Sequence, residues 1–224
     1  MKTTTITILT LIISLTSVFG QTRKDSLLVF VGEKIDVKYS PEEKKESPVD
    51  TIIKGKDTSY VRQVPLSFDS RYVVKYKVLQ LINGSYKQDT IEFIAFDHYG
   101  KPAFSEYKTV LLFVSHYKGE LIHEKYQYFD LYLTTDNKWA SPYSSEKDFN
   151  HPYKDNITVK PEKISFKEEI SFPIDKLSPD EIKTRFPKPY YEIKDGKAIV
   201  VYGNYVDGLF KLKQQTILKG RGIY

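Results

Sequence analysis

Apolar residues in this chain recur mainly at every second position, in runs of strand length. The first run is Leu27–Val37. Its start, Leu27 to Val31, is apolar on both faces, which places it in the middle of a sheet. Gly32 interrupts it, where a bulge or bend is expected. Residues 40–70 carry Pro41, Pro48, Gly55 and Pro65 among charged side chains and read as a long loop or excursion. Tyr72–Ile82 then sets Val74, Tyr76 and Val78 on one face, with Lys75 and Lys77 on the other. Asn83-Gly84-Ser85 turns the chain into Thr90–Phe96, with Ile91, Phe93 and Ala95 on one face. The segment 97–102 is a second turn. Tyr107–Ser115 contains Val110 to Val114, apolar on both faces, and reads as another central strand.

Lys118-Gly119 turns this strand into Glu120–Thr135. There Leu121, Phe129, Leu131 and Leu133 share one parity and Tyr126, Tyr128 and Tyr132 the other. Strict alternation predicts a dry face and a tyrosine-lined face. Residues 136–160 read as loop, and Ile164–Phe172 as a further strand. Ser178-Pro179-Asp180-Glu181 opens a short helix that ends near Phe186-Pro187: a cap, a proline at the first helical position, then acids in the first turn. Tyr190–Ile193 and Ala198–Tyr202 flank Lys194-Asp195-Gly196-Lys197 as a hairpin. Residues 205–218 suit helix (Val206, Leu209, Phe210, Ile217) and strand (Phe210, Leu212, Thr216, Leu218) equally. The fold class expected is mainly β: an antiparallel meander or OB-like barrel with a short helix and a C-terminal extension.

The N-terminus changes the organisation. Lys2 precedes an apolar stretch, Ile6–Leu15, that has signal-peptide length and is too short to span a membrane. Val18 and Gly20 stand at the two positions a signal peptidase inspects. The expected division is therefore a signal peptide over 1–20, a β-barrel-like core over 21–136, and a C-terminal region over 137–224 packed on or extending the core. No later segment reaches the roughly 18 apolar residues of a membrane span. The chain has no cysteine. This excludes disulfides and a lipid anchored on Cys, and it removes the usual thiolate ligands of structural zinc. Export as a soluble periplasmic or extracellular domain is the expectation.

The net charge of +5 is spread among alternating Lys and Glu, without the basic block that nucleic-acid binding needs. The 18 Tyr and 13 Phe weigh more. They suit pleated strands, and tyrosine is also a low-entropy contact residue for ligands.

Three pieces in order resemble the netrin-like, or tissue-inhibitor-of-metalloproteinase-like, module. They are Leu28-Val29-Phe30-Val31-Gly32-Glu33-Lys34-Ile35, then Val74-Lys75-Tyr76-Lys77-Val78-Leu79 with Asn83-Gly84 and Thr90-Ile91-Glu92-Phe93, then Tyr107-Lys108-Thr109-Val110-Leu111-Leu112-Phe113-Val114. The resemblance covers roughly 27–135 and implies a closed five-stranded OB-type barrel. Those inhibitors act through an N-terminal cysteine that chelates the protease metal. Gln21 stands at the expected mature terminus here, so that mechanism does not carry over. The chain also resembles exported proteins of the Bacteroidetes type.

Chemical motifs are sparse. There is no G-x-S-x-G, H-E-x-x-H, P-loop or G-x-G-x-x-G. His116 and His123 fall on one face of the expected hairpin, and Asp97-His98 sits in a turn. Glu168 and Glu169 point apart on a strand. No cofactor is expected, and no metal. Three readings follow. The first is a non-enzymatic module that binds a protein, peptide or carbohydrate through Tyr126, Tyr128 and Tyr132 and the aromatic loop Trp139, Tyr143 and Tyr153. The second is a secreted hydrolase with a scattered His/carboxylate site near His98, His116 or His123. The third is an envelope component that adds a strand to a partner.

Overall fold

A computed structural model describes residues 27–41, 49–54, 57–62, 68–143, 149 and 151–224. The segment expected to be a signal peptide, 1–20, lies outside the described residues. The chain begins with β1 (Leu27–Tyr39), β2 (Val49–Lys54), β3 (Asp57–Arg62), β4 (Ser70–Asn83) and β5 (Thr90–Asp97). A 3₁₀ turn, Ala103–Glu106, leads to β6 (Thr109–Tyr117), β7 (Glu120–Asp130), β8 (Tyr132–Leu133) and β9 (Trp139–Pro142). Then come β10 (Glu162–Lys163), β11 (Ser171–Pro173), helix α1 (Pro179–Arg185), β12 (Tyr191–Lys194), β13 (Lys197–Val200) and β14 (Tyr202–Tyr205). Helices α2 (Val206–Gln215) and α3 (Ile217–Gly220) complete it.

The chain is mainly β, and five strands close a barrel in the order β1-β4-β5-β7-β6. Every pairing in it is antiparallel except β5 with β7, which touch in parallel at Ile94 and Ile122. This arrangement agrees with the expected mainly β, OB-like fold. Phe30, Val74, Tyr76, Ile91, Phe93 and Leu112 fill the interior. Phe104, on the 3₁₀ turn, plugs it and is fully buried. Gly32 is where β1 must yield: a Cβ there would stand 2.9 Å from the rings of Phe30 and Tyr76. The β1–β4 register shifts at that point.

The double-sided apolar runs have a second partner. Val29, Val31, Leu111 and Phe113 face outward, against Leu209 and Leu212 of α2 and Leu218 of α3. Each large side chain buried there contributes about 1.5–3 kcal/mol. This outer face decides the ambiguous segment 205–218 in favour of helix. Val206, Leu209 and Leu212 repeat at the three-residue spacing that puts them on one stripe.

Three segments differ from the alternation-based expectation. Within 40–70, β2 and β3 pair as a hairpin, built from β-branched residues such as Thr51, Ile52 and Thr58. Within 136–160, Trp139–Pro142 forms β9 and pairs with β8 and β14. Only the end of 164–172 is strand: β11 joins β13 and β12 in a small sheet. Helix α1 forms as its cap predicts, with Ser178 and Glu181 closing a reciprocal capping box. The Asp195-Gly196 hairpin has both turn residues at positive φ, 50° and 72°.

One unmatched group lies among the aromatic side chains of the barrel interior. The Tyr76 hydroxyl is buried among Phe30, Phe93 and Phe104 and has no hydrogen-bond partner. Burial drives its acidity well below that of an ordinary phenol. An unmade buried hydrogen bond costs about 1–3 kcal/mol. Tyr76→Phe is therefore expected to stabilise the fold by about 1 kcal/mol. A denaturant midpoint unchanged or lowered by the substitution would show that the hydroxyl is satisfied.

Candidate functional site

The β6–β7 hairpin carries the feature that shapes the site. Lys118-Gly119 makes its turn with φ of 50° and 86°, and pairing runs regularly to Val114 opposite His123. It resumes at Leu112 opposite Tyr128. Phe113 alone thus faces four residues, Glu124 to Gln127. An odd number of extra residues exchanges the two faces of a strand. Leu121 packs towards the barrel interior, whereas Phe129 and Leu131 lie outside, beneath the helices. The expectation of one dry parity along 120–135 is corrected accordingly.

The bulge is pinned on both sides. Glu124 accepts from the Ser115 hydroxyl at 2.6 Å and from Arg221 at 2.7 Å. Arg221 also donates to the Lys125 carbonyl at 2.8 Å. Lys125 reaches both Asp69 oxygens at 2.7 Å. Underneath, His123 Nε2–H donates to the Gln127 carbonyl at 2.8 Å. Held this way, Tyr126 adopts φ 66°. That conformation is costly for a bulky aromatic residue, and such strain concentrates where ligands bind.

Beside the bulge lies a cleft of about 820 Å³, between the end of β7, helix α2 and the small sheet. Seven tyrosines line it. Tyr99 and Tyr107 come from the β5–β6 connection, Tyr126 and Tyr128 from β7, and Tyr132 from β8. Tyr143 follows β9, and Tyr191 belongs to β12. Asp130 sits among them and hydrogen-bonds Tyr132. Burial resists ionisation of five of these phenols, Tyr107, Tyr128, Tyr132, Tyr143 and Tyr191, and the negative charge of Asp130 adds to it for all but Tyr143. Tyr191 is pushed up to about 12. Tyr128 reaches about 12 by burial, with Tyr107 and Asp130 adding to it. Tyr132 and Tyr107 are raised for the same reasons. Burial takes Tyr143 to about 12 as well. All of them therefore stay neutral at physiological pH, each able to donate and accept a hydrogen bond. Tyr191 spends its donor on the Tyr143 carbonyl at 2.6 Å, and the Tyr143 ring stacks on Tyr190 with centroids 3.7 Å apart.

No protein-family model, curated protein or solved structure matches the chain. Of the six aromatic residues singled out in the sequence, Tyr126, Tyr128, Tyr132 and Tyr143 line the one cleft. Trp139 does not line it; it packs on the outer core and pairs with Leu133. Tyr153 stays outside as well, stacked on His151 with centroids 5.5 Å apart. Tyr99, Tyr107, Tyr191, Gln127 and Asp130 were not predicted. Alternation along one strand shows only that strand's own faces, and these residues arrive from other elements or through the bulge.

The histidines go to separate places. His123 lies inside the barrel, 4.6 Å from the Phe104 ring. His116 is exposed opposite Leu121, on the expected register. His98 donates to the Phe68 carbonyl at 3.0 Å, while Asp97 caps its own turn through the Tyr99 N–H at 2.8 Å. Among the described residues no three His, Asp or Glu side chains gather as a metal site.

Tyr126→Gly tests the strain. Glycine accepts positive φ without penalty. The variant is expected to fold with unchanged or slightly greater stability, within about 1 kcal/mol of the parent. Clear destabilisation in a melting experiment would mean that the ring is a structural prop.

Proposed function

We propose that this chain is an exported, non-enzymatic binding module that takes its ligand in the tyrosine-lined cleft. The convergence of seven tyrosines from sequence-distant elements on one cleft carries this reading. Its volume falls within the roughly 300–1,000 Å³ of small-ligand sites. Export is supported by Lys2, the apolar stretch Ile6–Leu15 and the small or tolerated residues Val18 and Gly20. The netrin-like resemblance contributes architecture to the proposal and none of its chemistry.

The two competing readings have less beneath them. A hydrolase site near His98, His116 or His123 needs those side chains to converge, and they lie apart. Strand addition needs an accessible edge, and the barrel closes on itself. The smaller sheets offer edge strands of only two to four residues, β8, β10, β11 and β12; the β2–β3 hairpin is the longer edge.

Ala103 lines the cleft and is exposed, so Ala103→Trp obstructs the cleft without touching the core. Thermal melts with a library of saccharides, short peptides and amines test the reading. A ligand at about 100 times its Kd adds about 2.7 kcal/mol, worth roughly 5–10 °C for a chain of this size. At least one class should raise the melting temperature of the parent and leave Ala103→Trp unmoved. No shift with any class, or equal shifts in both proteins, overturns the cleft as the site.

A further inference from the structure

We infer that the cleft takes a neutral saccharide, whose ring faces stack on Tyr99 and Tyr126 while one of its hydroxyls donates to Gln127 Oε1. The inference rests on the cleft being the binding site. Its anchor is Gln127. This residue lines the cleft but is only 7% exposed. Its Nε2 donates to the Lys125 carbonyl at 3.3 Å, which orients the amide; Oε1 is enclosed without a partner, so a ligand hydroxyl reaches it only as the lining side chains part. A buried acceptor of this kind is costly until a donor arrives. A carboxylate or phosphate group only accepts, so it cannot fill the place. A hydroxyl can.

Three further observations narrow the class. Tyr128, Tyr143 and Tyr191, inside the cleft, are held neutral by burial. Their hydroxyls can donate or accept, and so can those of a sugar, so both sides can be matched in either direction. The charged groups on the lining are mixed in sign, Asp130 against Lys213 and Arg185, so no single-sign field selects an ion. At the mouth, Tyr99 is 86% exposed and Tyr126 44% exposed. Their rings stand 6.2 Å apart at 37°, an open aromatic platform for the apolar face of a pyranose. The strained backbone of Tyr126 holds its ring in that position, and Gln127 follows directly in the chain.

Isothermal titration of the intact mature chain with cellohexaose, maltohexaose, xylohexaose and chitohexaose provides the test, with a short-peptide library run beside them. At least one hexasaccharide should bind. Gln127→Leu and Tyr126→Gly should each weaken it tenfold or more, with melting temperatures near the parent's, and Ala103→Trp should abolish it. Should Gln127→Leu fail to fold, Tyr126→Gly alone decides. Undiminished saccharide binding in the decisive variants overturns the assignment while the cleft remains the site. Failure of all four saccharides, with peptides binding the parent and not Ala103→Trp, overturns the saccharide and keeps the cleft. Silence from every probe, or binding that Ala103→Trp does not affect, overturns both.

Discussion

Between pH 6.5 and about 4, the folded chain is expected to lose about 3 kcal/mol of stability through His123 alone. The ring is fully enclosed, packed against Phe104 and Phe93. Burial holds its pKa down to about 4 from an ordinary 6.5, outweighing the opposing hydrogen bond to Gln127 and the charge of Glu124; Arg221 lowers it a little further. In the unfolded chain the imidazole takes up a proton near pH 6.5, and in the folded chain it does not. Protonation thus favours the unfolded state throughout that window, and stability falls as pH falls. Above pH 6.5 the contribution is fully present. Below about 4 both states are protonated and no further loss accrues from this residue. Each pH unit is worth about 1.4 kcal/mol, which sets the total. Carboxylates add their own acid dependence, so the informative quantity is the difference between parent and His123→Leu. Urea midpoints from pH 7.5 to 4 should fall more steeply for the parent. Parallel profiles would mean that His123 is already protonated, or hydrated, in the fold.

The same residue shows how far the sequence could be read. Val74/Tyr76 and Ile91/Phe93 lie inward as the period-2 pattern predicts, because β4 and β5 pair without bulges beside these residues. Leu27 to Val31 and Val110 to Val114 read as central because α2 and α3 cover the outer barrel face. On β7 the pattern failed. Glu124 to Gln127 continue an unbroken alternation in the sequence, while their register is set by Arg221 and Asp69, remote in the chain, and by Ser115 across the hairpin. Local periodicity carries no trace of such partners. The candidate site was legible to the extent that its tyrosines share strand 120–135. The contributions of Tyr99, Tyr107 and Tyr191 depend on where other loops and sheets close over it. Trp139 illustrates the converse: a lone tryptophan in an apparent loop was drawn into β9 and the outer core.

Phe104→Ala is expected to have the largest effect of any single truncation here, a loss of about 3–5 kcal/mol. Phe104 closes the barrel from a short 3₁₀ turn rather than from a strand. Its ring stands 6.1 Å from Tyr76, 6.3 Å from Phe93, 6.2 Å from Tyr128 and 4.6 Å from His123, centroid to centroid. Neighbours fixed in strands cannot collapse into the space, so a cavity remains and adds to the lost transfer energy. A second consequence separates this account from simple loss of packing. Phe104 is the closest ring to His123 and a main part of what keeps water from it. Water entering the vacated volume would let His123 protonate nearer pH 6.5 in the folded state, and the acid-dependent loss between 6.5 and 4 should shrink. Phe104→Ala is therefore expected to be much weaker than the parent at pH 7.5, with a smaller further decline at pH 4.5. Phe104→Leu, which refills most of the space, should restore both the stability and the steep acid profile. An Ala variant whose midpoint drops by the same increment as the parent's on acidification would show that the ring fills space without controlling access of water to the imidazole.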